Sequence, residues 1–238
     1  MKLDQYTHHK VMLDVLMGIA KDAFLANNLG FKGGTACYFV YGLNRFSVDL
    51  DFDILNKEKE NEVREKFLKM LKKFGTVKTK TSIKLKYSQK YQSLKMDLSN
   101  RYERSDNNTY KVQDIISGVS LKVLQAEDIF AHKLFALTNR SIENTKENKF
   151  IANRDLYDIN FFFENRWQYN SKIIEKQTGK EIRKYLQELR KFIEEVVDEK
   201  NILERLGDLV DTKQRQWIKK NLKDAVLRHL AIEIEAMR

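Results

Sequence analysis

The chain has a single cysteine, Cys37, and no proline among its 238 residues. One cysteine can neither close an intramolecular disulfide nor build a cysteine-rich zinc site, which suits a reducing compartment. The histidines, His8, His9, His132 and His229, do not fall at metal-ligand spacing. No stretch approaches the roughly 18 consecutive apolar residues of a membrane span. Residues 1–6 are polar where a secretory signal needs an apolar run. The expectation is a cytoplasmic protein with no membrane contact. The missing proline has no functional meaning.

Hydrophobic residues make up 42% and charged residues 33% of the chain, a balance that excludes a disordered or membrane protein and leaves a globular one with a charged surface. The length allows one large domain or two small ones. Lys and Arg outnumber Asp and Glu by 44 to 34, and the resulting net charge of +10 attracts polyanions such as RNA, DNA or a triphosphate.

Apolar residues at helical spacing predict a first helix over 6–28. A short apolar run, 29–32, then leads into Gly33-Gly34-Thr35, and a second helix is expected from Thr35. In 48–55 strict alternation sends Val48, Leu50, Phe52 and Ile54 to one face of a strand and Asp49, Asp51 and Asp53 to the other. A charged helix over 58–74 follows. Alternating segments at 77–82, 83–87, 94–99, 110–116 and 119–124 suggest a largely antiparallel sheet. Beyond Leu124 the pattern is helical: 126–140, 155–165, 180–197, 202–209 and 213–237. The polar stretch 141–153 reads as a loop. The fold expected is α+β: a mixed sheet flanked by helices over residues 1–124, followed by a helical domain over 125–238.

Glycines ahead of a helix let backbone N–H groups approach a phosphate at the positive helix end, so Gly33, Gly34 and Thr35 are a candidate phosphate cradle. Backbone geometry alone also explains such a pair. Asp49 and Asp51, one residue apart on the same strand face, can share hard divalent cations; a solvated acidic edge is the alternative. Asp53 lies on that face too and leaves the register open. Asp97 occupies the outward face of a later strand, either as a third carboxylate or as a solvent-facing residue. Phe161-Phe162-Phe163 and Trp167 read as core. The basic residues of 78–95, interleaved with Tyr87 and Tyr91, suit a nucleic-acid backbone or a solvated sheet face.

The order of these parts resembles the nucleotidyltransferase fold of the polymerase-beta type. More narrowly, Lys32-Gly33-Gly34-Thr35-Ala36 followed by Gly42-Leu43-Asn44-Arg45-Phe46-Ser47-Val48-Asp49-Leu50-Asp51-Phe52 is similar to the AbiEii/AbiGii family of toxin nucleotidyltransferases from toxin–antitoxin and phage-defence systems. The family's lysine helix motif matches residues 133–140, and its Arg/Lys-Asp-x-x-Asp motif matches Arg154-Asp155-Leu156-Tyr157-Asp158.

The resemblance implies transfer of an NMP from an NTP to an acceptor, with tRNA or another RNA expected and an antitoxin encoded nearby. It implies Mg²⁺ or Mn²⁺ held by Asp49 and Asp51, with Asp97 a candidate third ligand. Gly33, Gly34 and Thr35 would touch the phosphates, Arg45 or Lys133 would offset charge on the leaving pyrophosphate, and Asp155 would assist at the acceptor. The NTP is expected between the two halves. Two other readings are a catalytically silent nucleic-acid-binding module of the same fold and a small-molecule nucleotidyltransferase acting on an antibiotic.

Overall fold

The computed structural model describes residues 3–80, 82–88, 93–100, 107–143 and 153–237, with backbone alone for 140–143. Tyr91 and most of the polar stretch 141–153 lie outside the described residues. The chain divides into two compact units, Met1–Gly42 with Phe46–Gln125, and Leu43–Arg45 with Ala126–Arg238.

The first unit begins with α1 (Gln5–Ala20) and α2 (Ala23–Asn28). One continuous helix was expected here. Asp22 breaks it, because its carboxylate accepts from the backbone N–H groups of Phe24 and Leu25 and starts a new helix. Then follow β1 (Leu29–Lys32), α3 (Gly33–Val40), β2 (Asp49–Ile54), α4 (Glu60–Leu71), β3 (Thr76–Lys78), β4 (Ile83–Lys86), β5 (Ser93–Ser99), β6 (Tyr110–Ile116) and β7 (Val119–Leu124).

The strands form one mixed sheet in the order β3-β4-β5-β2-β1-β7-β6. Most neighbours are antiparallel, but β2 pairs with β5 and β1 with β7 in parallel. The apolar alternation of β2 sets which face is covered. Leu50 and Phe52 are fully buried, and Phe52 meets Phe31 of β1 and Phe67 of α4 at ring distances of 5.2 and 6.0 Å. Met12, Val15, Leu16 and Ile19 of α1 complete that core. The opposite face receives the aspartates.

The second unit is helical: α5 (Ala126–Glu143), α6 (Asn153–Glu164), α7 (Ser171–Thr178), α8 (Ile182–Val196) and α9 (Thr212–Ala236). Its core is aromatic. Phe130 packs edge-on to Phe162 and Phe163, and Phe162 stacks on Trp167 with centroids 4.5 Å apart; Phe162 and Phe163 are buried as expected, whereas Phe161 and Trp167 are only half-buried. Two details depart from the periodicity. Segment 202–209 is turns ending in a 3-10 turn, Gly207–Leu209, and α7 was not foreseen. An Asp211–Gln214 capping box opens α9. Among the described residues no helix is long and apolar enough to cross a membrane.

Candidate active site

In the first unit, β1 leads directly into α3 through Gly33, whose φ of +78° lies in the left-handed region. The same residue lies against the acidic strand: a Cβ at position 33 would stand 2.7 Å from Asp51 Oδ2. Lys32, at the N-cap of α3, makes no side-chain cap, so the first amides of the helix keep their donor capacity toward an anion. Gly34 is the second residue of that helix.

Thr35 is buried, and its hydroxyl donates to the Asp49 carbonyl while lying 2.6 Å from Ser47 Oγ. A hydroxyl has one proton to give, so Ser47 is the donor of the second bond. This pair fixes the entry of β2 to the start of α3. His8 fixes the same entry from α1: its Nε2 donates to the Val48 carbonyl at 2.9 Å, which leaves Nδ1 to accept from Tyr87 Oη at 2.6 Å. Burial pulls the His8 pKa below its usual value and pushes that of Tyr87 up to about 12.

The parallel register places Asp51 directly opposite Asp97 and Asp49 opposite Lys95, so Asp49, Asp51 and Asp97 share one sheet face. Asp53, on that face as well, is taken out of the set. It is 3% exposed, Lys32 Nζ donates to it at 2.5 Å, and Tyr110 Oη donates to its other oxygen. Tyr110 reaches it by crossing β1 over Gly30, where a Cβ would stand 2.3 Å from the ring. Asp49 and Asp51 are thereby the half-buried pair and Asp97 the exposed one.

The donor set is all carboxylate oxygen, the type a hard divalent cation takes. As the side chains lie, no three His, Cys, Asp or Glu groups among the described residues converge closely enough to hold a metal ion. Register and donor chemistry place the Asp49–Asp51 pair and Asp97 on one sheet face, without closing them into a three-carboxylate site.

In the second unit, Arg45 and Asp158 form a bidentate pair, Nε to Oδ1 at 2.6 Å and Nη2 to Oδ2 at 2.7 Å, with side chains 3% and 0% exposed. Lys133 Nζ lies 2.5 Å from Asp155 Oδ1 and 2.8 Å from Asp158 Oδ2. Two cations and two carboxylates balance, which is the condition for burying them. Lys133 is the more accessible cation, at 12%.

The family model for "Nucleotidyl transferase AbiEii toxin, Type IV TA system" matches residues 14–228. The chain belongs to the AbiEii toxin family. Among solved structures, a putative nucleotidyltransferase from Helicobacter pylori is 23% identical with a TM-score of 0.57, covering 100% of this chain and 96% of that one. JHP933 from Helicobacter pylori is 20% identical with a TM-score of 0.55, covering 100% and 98%. Both share the fold. Among curated proteins no sequence matches.

Within this AbiEii chain the sequence motifs fall into two groups. Gly33, Gly34, Thr35, Asp49, Asp51 and Asp97 gather in the first unit, and Arg45, Lys133 and Asp155 in the second. Three groups of contacts were missed. Asp158, read only as part of a motif, bridges Arg45 and Lys133. Tyr110 and Lys32 hold Asp53. Tyr157 donates to Asn44 Oδ1 at 2.8 Å, and Gln214 Nε2 donates to Tyr157 Oη at 3.0 Å and to the Asn44 carbonyl at 2.6 Å, anchoring the residue before Arg45. The opposite charges of Arg45 and Asp158 were a signal, but 113 residues separate them. His132 Nδ1 contacts Gln177 Nε2 at 3.2 Å.

Proposed function

We propose that this AbiEii-family chain transfers a nucleoside monophosphate from an NTP to RNA, with tRNA as the expected acceptor. The observation that carries this reading is the meeting of the Gly33 turn with Asp51, itself opposite Asp97 in register. A phosphate-approachable helix start beside paired carboxylates is what in-line attack at an α-phosphorus needs.

The amides of Gly33, Gly34 and Thr35 donate to phosphate oxygens of the NTP. Asp49 and Asp51, with Asp97, would hold Mg²⁺ or Mn²⁺, which when bound neutralises phosphate charge and polarises the reacting P–O bonds. Thr35 and Ser47 keep Asp49 in place through its backbone. Lys133, the less buried cation, offsets charge on the departing pyrophosphate. Arg45 holds Asp158, which in turn positions Lys133. Asp155 accepts the proton of the attacking hydroxyl. We place the reaction in the cytoplasm, and the family's pairing of toxins with antitoxins makes an antitoxin an expected partner.

The test is the fate of the label. Protein, Mg²⁺, total bacterial RNA and NTPs carrying ³²P at either the α or the γ position are incubated in parallel. Nucleotidyl transfer puts the α label on RNA and the γ label in pyrophosphate. A γ label on RNA, or an α label on neither RNA nor small molecules, contradicts it. An α label on a small molecule alone supports the antibiotic-type reading instead.

A further inference from the structure

The basic segment 78–95 has a register that its sequence does not reveal. Lys78 of β3 lies opposite Lys84 of β4, Lys84 opposite Lys95 of β5, and Lys95 opposite Asp49 of β2. Three lysines thus form a straight row across the sheet that ends at the acidic pair. With strands about 4.8 Å apart, the row from Lys78 to Asp49 spans about 14 Å, the axial rise of roughly four stacked nucleotides.

All three lysines are exposed, and the side chains alternating with them, Leu85, Leu94 and Met96, are buried on the other face. Lys86 extends the basic strip beside Lys84. On β3 and β4 this face carries no carboxylate among the described residues, and Asp97 is the first on β5. None of Lys78, Lys84 and Lys95 has an ion-pair partner among the described residues. Like charges directly opposite one another destabilise a sheet, so stability does not explain the row.

We infer that the Lys78–Lys84–Lys95 row is the track on which the phosphate backbone of the acceptor RNA lies, feeding its reacting end toward Asp49 and Asp51. This rests on the transfer reading for its direction, while binding itself can be measured without turnover. The contacts are to phosphate and are therefore independent of base sequence.

The test uses fluorescein-labelled bulk bacterial tRNA and the full chain, with anisotropy read from about 50 to 200 mM salt. Lys78→Gln/Lys84→Gln/Lys95→Gln is compared with Lys213→Gln/Lys219→Gln/Lys220→Gln, which removes equal charge from exposed positions on α9. The row variant is expected to bind at least about tenfold more weakly and to reduce the salt slope by about 2 to 3. The α9 variant is expected to stay within about threefold of wild type. The row variant should melt no lower than wild type, since repulsion is relieved. Should it fail to fold, Lys84→Gln alone must lower the slope by about 0.7 to 0.9.

Equal losses in both triple variants, or wild-type binding by the row variant, overturns the inference. The transfer assay separates the two claims. Label on RNA with an unaffected row variant rejects the track alone; selective loss of RNA binding without any transfer by wild type keeps the track and rejects the reaction.

Discussion

Gly33 and Asp51 leave no room for a methyl group between them: a Cβ on residue 33 would stand 2.7 Å from Asp51 Oδ2, and φ at that residue is +78°. Gly33→Ala therefore meets two penalties, a left-handed backbone costing about 1–2 kcal/mol and displacement of the carboxylate. We predict a melting temperature lower by about 2–8 °C and a transfer rate lower by about a hundredfold. A variant that loses stability but keeps full activity separates the turn from the chemistry.

Asp158 accepts from Arg45 and lies 2.8 Å from Lys133, with no exposure of its own. Asp158→Asn leaves a buried guanidinium without its counter-charge, and urea unfolding should show a loss of about 3–5 kcal/mol. Arg45→Met with Asp158→Leu should cost less than the sum of the two single changes. Additive single losses contradict the pairing.

Much of this was legible beforehand, and the reasons are local. The alternation of Val48 to Leu55 fixed which face carries Asp49 and Asp51, because a one-residue slip would bury the aspartates and expose Phe52. The strand segments 110–116 and 119–124 were found to the residue, since period-two patterning bounded by Gly118 is a strong local signal. What stayed hidden depends on distant pairing. Nothing near Asp53 says that Tyr110 crosses Gly30 to reach it, or that Lys84 and Lys95 stand opposite each other. The break at Asp22 was missed for another reason: apolar spacing continued across it, and a local side-chain cap outweighed the period.

Gly30 and Tyr110 give a third prediction. A Cβ at residue 30 would push the Tyr110 ring off β1 and uncouple its hydroxyl from Asp53. Tyr110→Phe should cost about 1–3 kcal/mol by loss of one bond to a buried carboxylate. Gly30→Ala should cost more, since it adds overpacking to the same loss. Chemical denaturation of both variants ranks them, and the reverse order contradicts the crossing.

His8 gives the protein a pH dependence whose sign can be worked out. Its folded pKa is lowered from 6.5, chiefly by burial, so below that value the unfolded chain binds the proton more readily. Stability is then full above about pH 6.5 and falls as pH drops through the window down to the folded pKa. Melting temperatures at about pH 8 and about pH 5.5 should differ more in wild type than in His8→Gln. An equal or larger difference in the variant places the titrating group elsewhere.

The central claim is that Asp51, facing the Gly33 turn, is part of the reaction machinery. It is tested most directly by incubating wild type and Asp51→Asn, matched for folded content by circular dichroism, with α-³²P-labelled NTPs, Mg²⁺ and total bacterial RNA. The account predicts a labelled RNA band from wild type that falls by at least about a hundredfold in the variant, in the range for losing a group that acts in the transition state. Equal labelling by both proteins would contradict it.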